Sequence, residues 1–432
     1  MTNTLLIKNG HVIDPANGID SVMDVYVADG KIENLGKNIS KEADQTIDAK
    51  GLVVTPGLID LQVHVREPGR EDKETIETAS MAALAGGITS IVAMPNTAPI
   101  ADDQTVIEFV IKRAKEVNLV NVYPSGATTK GQHGKSLSEI NEMKHSGAVA
   151  ITDDGVDVQD ENVLRRAMEY AKTCDILLMS HCETDTLTGK GVMHEGWVST
   201  QLGLPGIPAA SEDLAVQKNI ILACMTGARL HLLHNSSIGA VDAIRTAKKN
   251  GHKNITAEVS VQHFSLTDEE CFGYNTNAKM YPPLRSKRHV EAIIEGIKDG
   301  TIDAFTTDHA PHIEPDKLLP FQDAAFGSIG LETSFAVMNT YLVEAGHIDL
   351  STGISKMTHE PAKIIRKDKG TLSVGADADI AIFDMNKEWV VSGKDGFSKS
   401  HNCIFDGKKL KGKAIHTIVD GTVKYSNGKI TQ

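Results

Sequence analysis

The chain has 432 residues, and its 57 Asp and Glu residues outnumber its 44 Lys and Arg residues, which gives a formal net charge of −13. This balance argues against nucleic acid as the main partner, because polyanion-binding surfaces are basic. The five cysteines are odd in number, scattered and without a C-x-x-C pair, so we expect reduced thiols in a cytoplasmic protein. Only a short apolar run precedes Lys8, and no run reaches transmembrane length, so we expect neither a signal peptide nor a membrane anchor.

The two ends of the chain share a β-strand pattern. Residues 1–55 contain "LLIKNGHVID" and "DVYVADGKIENLG", in which N-G and D-G breaks separate alternating β-branched runs. Residues 369–432 repeat the style in "ADIAIFDMNKEWVV" and "HTIVDGTVKYSNG", with D-G and N-G hairpin signals. Each end is too small to bury a core alone. We therefore predict that both ends pack together as one small β-sandwich domain.

Residues 56–368 change to a repeated strand, turn and helix pattern. Helices are evident in "DDQTVIEFVIKRAKEV" and "SKRHVEAIIEGIKDG". Eight such units predict an α/β fold of the (β/α)₈ TIM-barrel type, and the alternative, a doubly wound open sheet, would need fewer strands. The predicted strands span 58–64, 88–95, 120–126, 148–153, 175–180, 229–234, 255–260 and 303–307.

Polar residues follow six of these eight strands. Barrel enzymes place their chemistry at the carboxyl ends of the strands, so we expect these side chains to meet at one rim. Each of these residues taken alone has a simpler explanation as a core histidine or a turn residue. Polar residues after six strands that end at one rim are too many to arise independently by chance. The set is His64 with Arg66, Asn96, Asp153 with Asp154, His181, His234, and Asp308 with His312.

Imidazoles and carboxylates together suit Zn²⁺ or a similar divalent ion. Asp154 could bridge two such ions, and a metal site of this kind makes water acidic enough to react at neutral pH. Asp308 ends its strand, and it is the candidate general acid/base.

Arg66, Asn96 and His312 differ in kind from the metal-ligand candidates. A guanidinium, an amide and an imidazole near a metal predict recognition of a substrate carboxylate. The alternative for Arg66 is a surface salt bridge with Glu67 or Asp72.

The motifs resemble those of the amidohydrolase superfamily and, within it, the class I dihydroorotases. The resemblance covers nearly the whole chain and rests on "GLIDLQVHVREPG", "AGGITSIVAMPNTAP", "AITDDG", "SHCE", "LLHNSS", "MYPPLR", "TTDHAPH" and "FGSIGLET", in the family order. It implies a barrel flanked by a small β domain. It also implies reversible cyclisation of N-carbamoyl-L-aspartate to L-dihydroorotate in pyrimidine synthesis. Asp154 stands where hydantoinases and allantoinases have a carboxylated lysine, which indicates class I.

The resemblance also implies residue roles. His64, Asp154 and Asp308 would hold one zinc ion, and Asp154, His181 and His234 a second, with Asp308 as general acid/base. Substrate would be bound by His64, Arg66, Asn96 and His312, by the backbone near Phe326 and Gly327, and at the position of Tyr281.

Two positions depart from the family pattern. Gln62 replaces the first histidine of an H-x-H pair, and an amide oxygen is a poorer zinc ligand than imidazole, so we expect a weak or lost ligand there. We therefore expect one or two Zn²⁺ ions per chain. Tyr281 replaces the asparagine of "NPPLR", and its hydroxyl can still donate a hydrogen bond although its bulk could crowd the substrate ring.

These departures leave three interpretations. The first is a working dihydroorotase, expected as a homodimer, and the second is a non-catalytic subunit that scaffolds aspartate transcarbamoylase. The third is a related cyclic amidase with another carboxylate-bearing substrate. The long segment 312–330, with Gly327 and Gly330 as hinge candidates, could serve as a lid or be an ordinary connecting loop.

Overall fold

The protein's computed structural model describes residues 4–431 and contains a parallel eight-stranded sheet with a second sheet built from both chain ends. All eight strands predicted for residues 56–368 are present, and neighbouring strands pair in parallel. The first and last strands approach through a parallel bridge between Val63 and His309, and the His64 N–H donates to the His309 carbonyl at 2.9 Å. The sheet thus curls into a barrel, which confirms the predicted fold class.

The barrel strands are short and buried, as expected for strands covered on both faces. In chain order they are β6 (Leu58–Val63), β7 (Ile88–Ala93), β8 (Asn121–Gly126), β9 (Ala150–Ile151), β10 (Leu177–Ser180), β13 (Leu230–Leu232), β14 (Ile255–Ser260) and β15 (Ala304–Thr306). A two-stranded ribbon, β11 (Met193–His194) with β12 (Gly206–Ile207), lies between β10 and β13.

Helices follow the barrel strands, and some of them start at side-chain caps that the sequence supplies. Asp103 accepts from the N–H groups of Thr105 and Val106, and Asp160 caps the fourth helix in the same way. The helices are α1 (Ile76–Ala85), α2 (Gln104–Val117), α3 (Ile140–His145), α4 (Glu161–Cys174), α5 (Asp185–Thr188), α6 (Trp197–Leu202), α7 (Ala209–Thr226), α8 (Ile238–Lys249), α9 (Val261–Ser265), α10 (Lys287–Lys298), α11 (Glu314–Leu318), α12 (Ser334–Met338), α13 (Leu350–Ser355) and α14 (His359–Ile365). None of the helices within residues 4–431 is long and apolar enough to cross a membrane.

The two chain ends form one hydrogen-bonded sheet, which confirms that both contribute to the small β domain. The junction is the antiparallel pairing of β5 (Val53–Pro56) with β16 (Ile380–Val390), in which Pro56 lies opposite Ile380. The strands are β1 (Thr4–Asp14), β2 (Ile19–Ala28), β3 (Lys31–Gly36), β4 (Gln45–Asp48), β5 (Val53–Pro56), β16 (Ile380–Val390), β17 (Lys409–Val419), β18 (Thr422–Ser426) and β19 (Lys429–Ile430). The exact boundaries at residues 55/56 and 368/369 remain predictions.

The C-terminal segment also reaches the barrel rim. The Asn402 side chain donates to the carbonyls of Ala310 and Gly327 and accepts from the His312 N–H. The small domain therefore helps to fix the backbone that follows β15, where Asp308 and His312 lie.

Candidate active site

One buried cluster at the barrel rim joins Asp154, His181 and His234. The His181 Nδ1 and His234 Nε2 atoms are 2.8 Å apart, and they lie 3.7 and 3.4 Å from Asp154 Oδ1. A tetrahedral zinc site with bonds of about 2.0–2.1 Å has ligand-to-ligand edges of about 3.3 Å. The three atoms are therefore spaced as ligands of one divalent ion.

A second buried cluster joins His64, Asp154 and Asp308. The His64 Nε2 atom lies 3.2 Å from Asp154 Oδ2 and 3.3 Å from Asp308 Oδ1. Asp154 faces the first cluster with one oxygen and this cluster with the other. The carboxylate is thus placed to bridge two ions.

The electrostatics of these clusters favour a cation. Burial opposes the charged form of Asp154, but a hydrogen bond from His234 and the charges of His64, His234 and His181 outweigh it and lower its pKa. Burial likewise opposes protonation of His181, but Glu183 and Asp154 raise the pKa of His181 to about 9. The same negative charges that hold a proton on His181 would stabilise a metal cation at this position. The residues therefore fit a divalent ion.

Gln62 lies at the same place and is fully buried. Its amide nitrogen, rather than its oxygen, faces the site, because Nε2 donates to Asp154 Oδ1 at 3.0 Å. The Gln62 Oε1 atom has no hydrogen-bond partner among the described residues. In this arrangement Gln62 donates to the bridging carboxylate with its nitrogen. Its role as a weak or lost ligand stays a prediction.

Hydrogen bonds from outside the clusters orient two of the histidines. Asn96 Oδ1 lies 2.8 Å from His64 Nδ1, which leaves His64 Nε2 facing the carboxylates. Glu183 Oε2 lies 3.4 Å from His181 Nε2, which leaves Nδ1 facing Asp154. Glu183 was not assigned from the sequence, although its place two residues after His181 in "SHCE" was a usable signal.

Three site residues have left-handed backbone conformations that non-glycine residues seldom adopt. Arg66, His234 and Asp308 have φ values of 61°, 30° and 48°. Such strain persists only where the surroundings hold it, and it concentrates at functional sites.

A buried ion pair holds the turn after His234. Glu212 Oε1 accepts from the N–H groups of Ser236 and Ser237, and Glu212 Oε2 lies 3.1 Å from Arg285 Nη2. Burial opposes ionisation of Glu212, but Arg285 and Ser236 lower its pKa. The "LLHNSS" and "MYPPLR" motifs thus meet in this clamp, whose two charged members sequence reasoning did not assign.

Arg66 and His312 lie together, as predicted for a carboxylate-binding group. The Arg66 Nη2 atom is 3.5 Å from His312 Nε2, and Arg66 Nε donates to the Pro311 carbonyl. The surface pairing of Arg66 with Glu67 or Asp72 is not formed, since Glu67 pairs with Arg113 and Asp72 pairs with Arg70. The side-chain oxygen of Asn96 is hydrogen-bonded to His64, so the NH₂ group of Asn96 is available to donate to a substrate.

Tyr281 and Phe326 form an aromatic wall beside the first cluster. The Tyr281 ring stacks on His181 with centroids 5.1 Å apart and contacts Phe326 at 4.9 Å. Burial and the Glu183 carboxylate raise the pKa of Tyr281, so its hydroxyl stays protonated.

The segment 312–330 contains α11 and is held by a buried lysine. Lys317 Nζ donates to the carbonyls of Ala325 and Gly327. The Gly327 N–H already donates to the Lys279 carbonyl, and its φ of 121° suits glycine. Whether this segment moves as a lid remains a prediction.

Asp153, the first acid of "TDDG", lies outside both clusters. Its carboxylate accepts from the N–H and hydroxyl of Thr129 and fixes a neighbouring turn. Burial, the largest effect, raises the pKa of Asp153 to about 6 despite these hydrogen bonds.

The sequence of the chain was compared with protein-family models and with curated proteins. A dihydro-orotase-like family model matches residues 51–239, and an amidohydrolase family model matches residues 225–425. A curated relative named dihydroorotase, from Citrifermentans bemidjiense, is 50% identical over 98% of this chain and 99% of its own. The chain belongs to the dihydroorotase family. Another family member, from Acetivibrio thermocellus, is 48% identical over 97% of this chain and 98% of its own.

Solved structures agree with the fold of this dihydroorotase family member. The L-hydantoinase (dihydropyrimidinase) from Arthrobacter aurescens superposes with a TM-score of 0.88 at 27% identity, covering 99% of this chain and 97% of its own. A D-hydantoinase from Thermus sp. gives a TM-score of 0.84 at 25% identity, covering 99% and 96%. The predicted family is confirmed, and both His/Asp clusters can bind a divalent metal.

Proposed function

We propose that this protein is a zinc-dependent dihydroorotase, which interconverts N-carbamoyl-L-aspartate and L-dihydroorotate in pyrimidine synthesis. The observation that carries the proposal is the shared carboxylate of Asp154 between two His/Asp clusters, beside Arg66 and His312. Near-full-length relatives named dihydroorotase support it. The enzyme acts on a cyclic amide C–N bond.

Asp308 is the group that moves the proton. In the hydrolytic direction, water adds to the ring amide carbonyl, and Asp308 takes the proton that the water loses. The C–N bond then breaks, and Asp308 returns the proton to the leaving nitrogen. A divalent ion would be held by Asp154, His181 and His234, and a second, more weakly, by His64, Asp154 and Asp308. Such an ion would polarise the carbonyl and make the water more acidic.

Arg66, Asn96 and His312 bind and orient the substrate. The guanidinium of Arg66 carries the positive charge, because burial lowers its pKa only to about 10. The Asn96 NH₂ and a His312 N–H add neutral donors. A carboxylate held by these groups would fix the ring relative to Asp308.

The scaffold interpretation is less well supported than the enzyme. A subunit freed from catalysis should lose several ligands, whereas His64, Asp154, His181, His234 and Asp308 remain together and buried. Association with aspartate transcarbamoylase and a homodimeric state stay predictions, and light scattering of the protein with and without the transcarbamoylase tests both. A cytoplasmic location is supported by the free state of the five cysteines, Cys174, Cys182, Cys224, Cys271 and Cys403.

The test measures metal content and turnover on one preparation. Dihydroorotate hydrolysis should rise in proportion to bound Zn²⁺, at one or two ions per chain. Asp308→Asn should remove turnover, while the matched change Asp72→Asn, at an exposed pair with Arg70, should not. A zinc-loaded protein that leaves dihydroorotate intact would contradict the proposal. Turnover of 5,6-dihydrouracil, which lacks the carboxylate, in preference to dihydroorotate would favour another cyclic amidase.

A further inference from the structure

Lys73 lies behind the carboxylate-binding group and is buried. Its Nζ atom is 3.1 Å from His312 Nδ1 and 2.7 Å from the Asp316 carboxylate on α11. The lysine therefore joins the segment after β6 to the segment after β15. Neither the sequence motifs nor the family comparison assigns it a role.

The contact with Lys73 decides where His312 carries its proton. A lysine ammonium has three donors and no acceptor, so His312 Nδ1 must be the acceptor. A neutral imidazole has one N–H, which is then on Nε2. The ring stays neutral, because burial and the charges of Arg66, Lys73 and Lys317 lower the pKa of His312 to about 2.

The opposite tautomer is disfavoured by the same contacts. It would place an Nδ1–H against the ammonium of Lys73. Its Nε2 would accept from Arg66 Nη2, but that distance of 3.5 Å is at the limit for a hydrogen bond. The Phe326 carbonyl, which favours a proton on the ring, and Asp316, 3.7 Å from Nδ1, are the other polar groups facing His312.

We propose that Lys73 is a positioning residue that fixes the His312 tautomer, so that His312 presents Nε2–H to the substrate carboxylate. The proposal rests on the proposed function for the identity of that substrate. It explains why a lysine is buried here although it does not itself bind the carboxylate. Without Lys73, Arg66 becomes the stronger donor to the ring and the proton should move to Nδ1. Two acceptors, Nε2 and the carboxylate, would then face each other.

The first measurement reads the tautomer directly and needs no turnover. The zinc-loaded protein is labelled with ¹⁵N-histidine, and the His312 ring signals are identified by their loss in His312→Ala. We expect a protonated Nε2 in the wild type and in Lys73→Arg, which keeps a donor. Lys73→Met should shift the proton to Nδ1 or give a mixture of both forms.

The second measurement is kinetic. Lys73→Met should raise KM for dihydroorotate by about tenfold or more, since a hydrogen bond to a charged group is lost, with a smaller change in kcat. In the His312→Ala background the same change should alter KM less than twofold. Asp316→Asn, which breaks the tie to α11 but keeps the contact of Lys73 with His312, is the matched control and should leave both tautomer and KM unchanged.

Three results would overturn the proposal. They are an unchanged tautomer in Lys73→Met, an equal KM rise in the His312→Ala background, and an Asp316→Asn variant that reproduces the effect. The last would mean that Lys73 only holds the segment in place. A wild-type protein without dihydroorotate turnover would instead contradict the proposed function, and the tautomer would still be measurable.

Discussion

Gln62→His should create a fourth ligand for the cluster of His64, Asp154 and Asp308. The position is suited to it, because Gln62 is fully buried and lies two residues before His64. Its side chain also reaches Oδ1 of Asp154, the carboxylate that both clusters share, at 3.0 Å. An imidazole there would restore the H-x-H pair. We expect a second, tightly bound metal ion per chain.

The expected gain follows from the number of ligands. Structural zinc sites with four ligands bind with about 10–16 kcal/mol, so one ligand contributes about 3 kcal/mol, or about a hundredfold in affinity. The substitution also removes the hydrogen bond from Gln62 to Asp154, which costs about 1 kcal/mol. The net increase in affinity should therefore be between about tenfold and a hundredfold.

The assay is competition for Zn²⁺ with a chromophoric chelator, together with metal content after dialysis. Gln62→Asn keeps an amide on a shorter side chain and is the control that should not gain an ion. If Gln62→His binds the same number of ions as the wild type with equal affinity, position 62 does not contribute to the site and the reasoning fails.

Other predictions follow from the supporting residues. Glu183→Gln should weaken zinc binding by about tenfold, measured by the same competition, because the charged partner of His181 is lost; unchanged affinity would exclude this role. Gly327→Ala should lower kcat/KM for dihydroorotate, because residue 327 has a φ of 121° and an added Cβ would lie 2.6 Å from the Cβ of Ala310. Wild-type kinetics in this variant would contradict the prediction. Glu212→Gln should reduce the free energy of unfolding by about 3 kcal/mol at pH 7, by breaking the pair with Arg285. The folded-state pKa of Glu212 is lowered, so its contribution is present above the unfolded value and is lost as pH falls through the folded value. Denaturant unfolding at several pH values should show the difference vanish in acid, and a constant difference would refute this cause.

The sequence by itself determined the fold class and the metal-site candidates. Alternating patterns at both ends and eight strand-and-helix units in the middle are local signals, because strand and helix periods depend on neighbouring residues. The barrel rule then placed His64, Asp154, His181, His234 and Asp308 at one rim, and the structure brings all five together.

The tertiary structure decided what the neighbouring polar residues do. Asp153 and Asp154 are adjacent in "TDDG", yet one fixes a turn through Thr129 and the other links both clusters. Gln62 directs its nitrogen at Asp154, which no pattern of residue types predicts.

Long-range contacts explain the remaining gap. Lys73 meets His312 across 239 residues of chain, and Glu212 meets Arg285 across 73. A hydrogen bond forms only between groups about 3 Å apart, and that distance is set by how the whole barrel packs. The sequence thus determined which chemical groups this protein has, and the packing decided which of them act on each other.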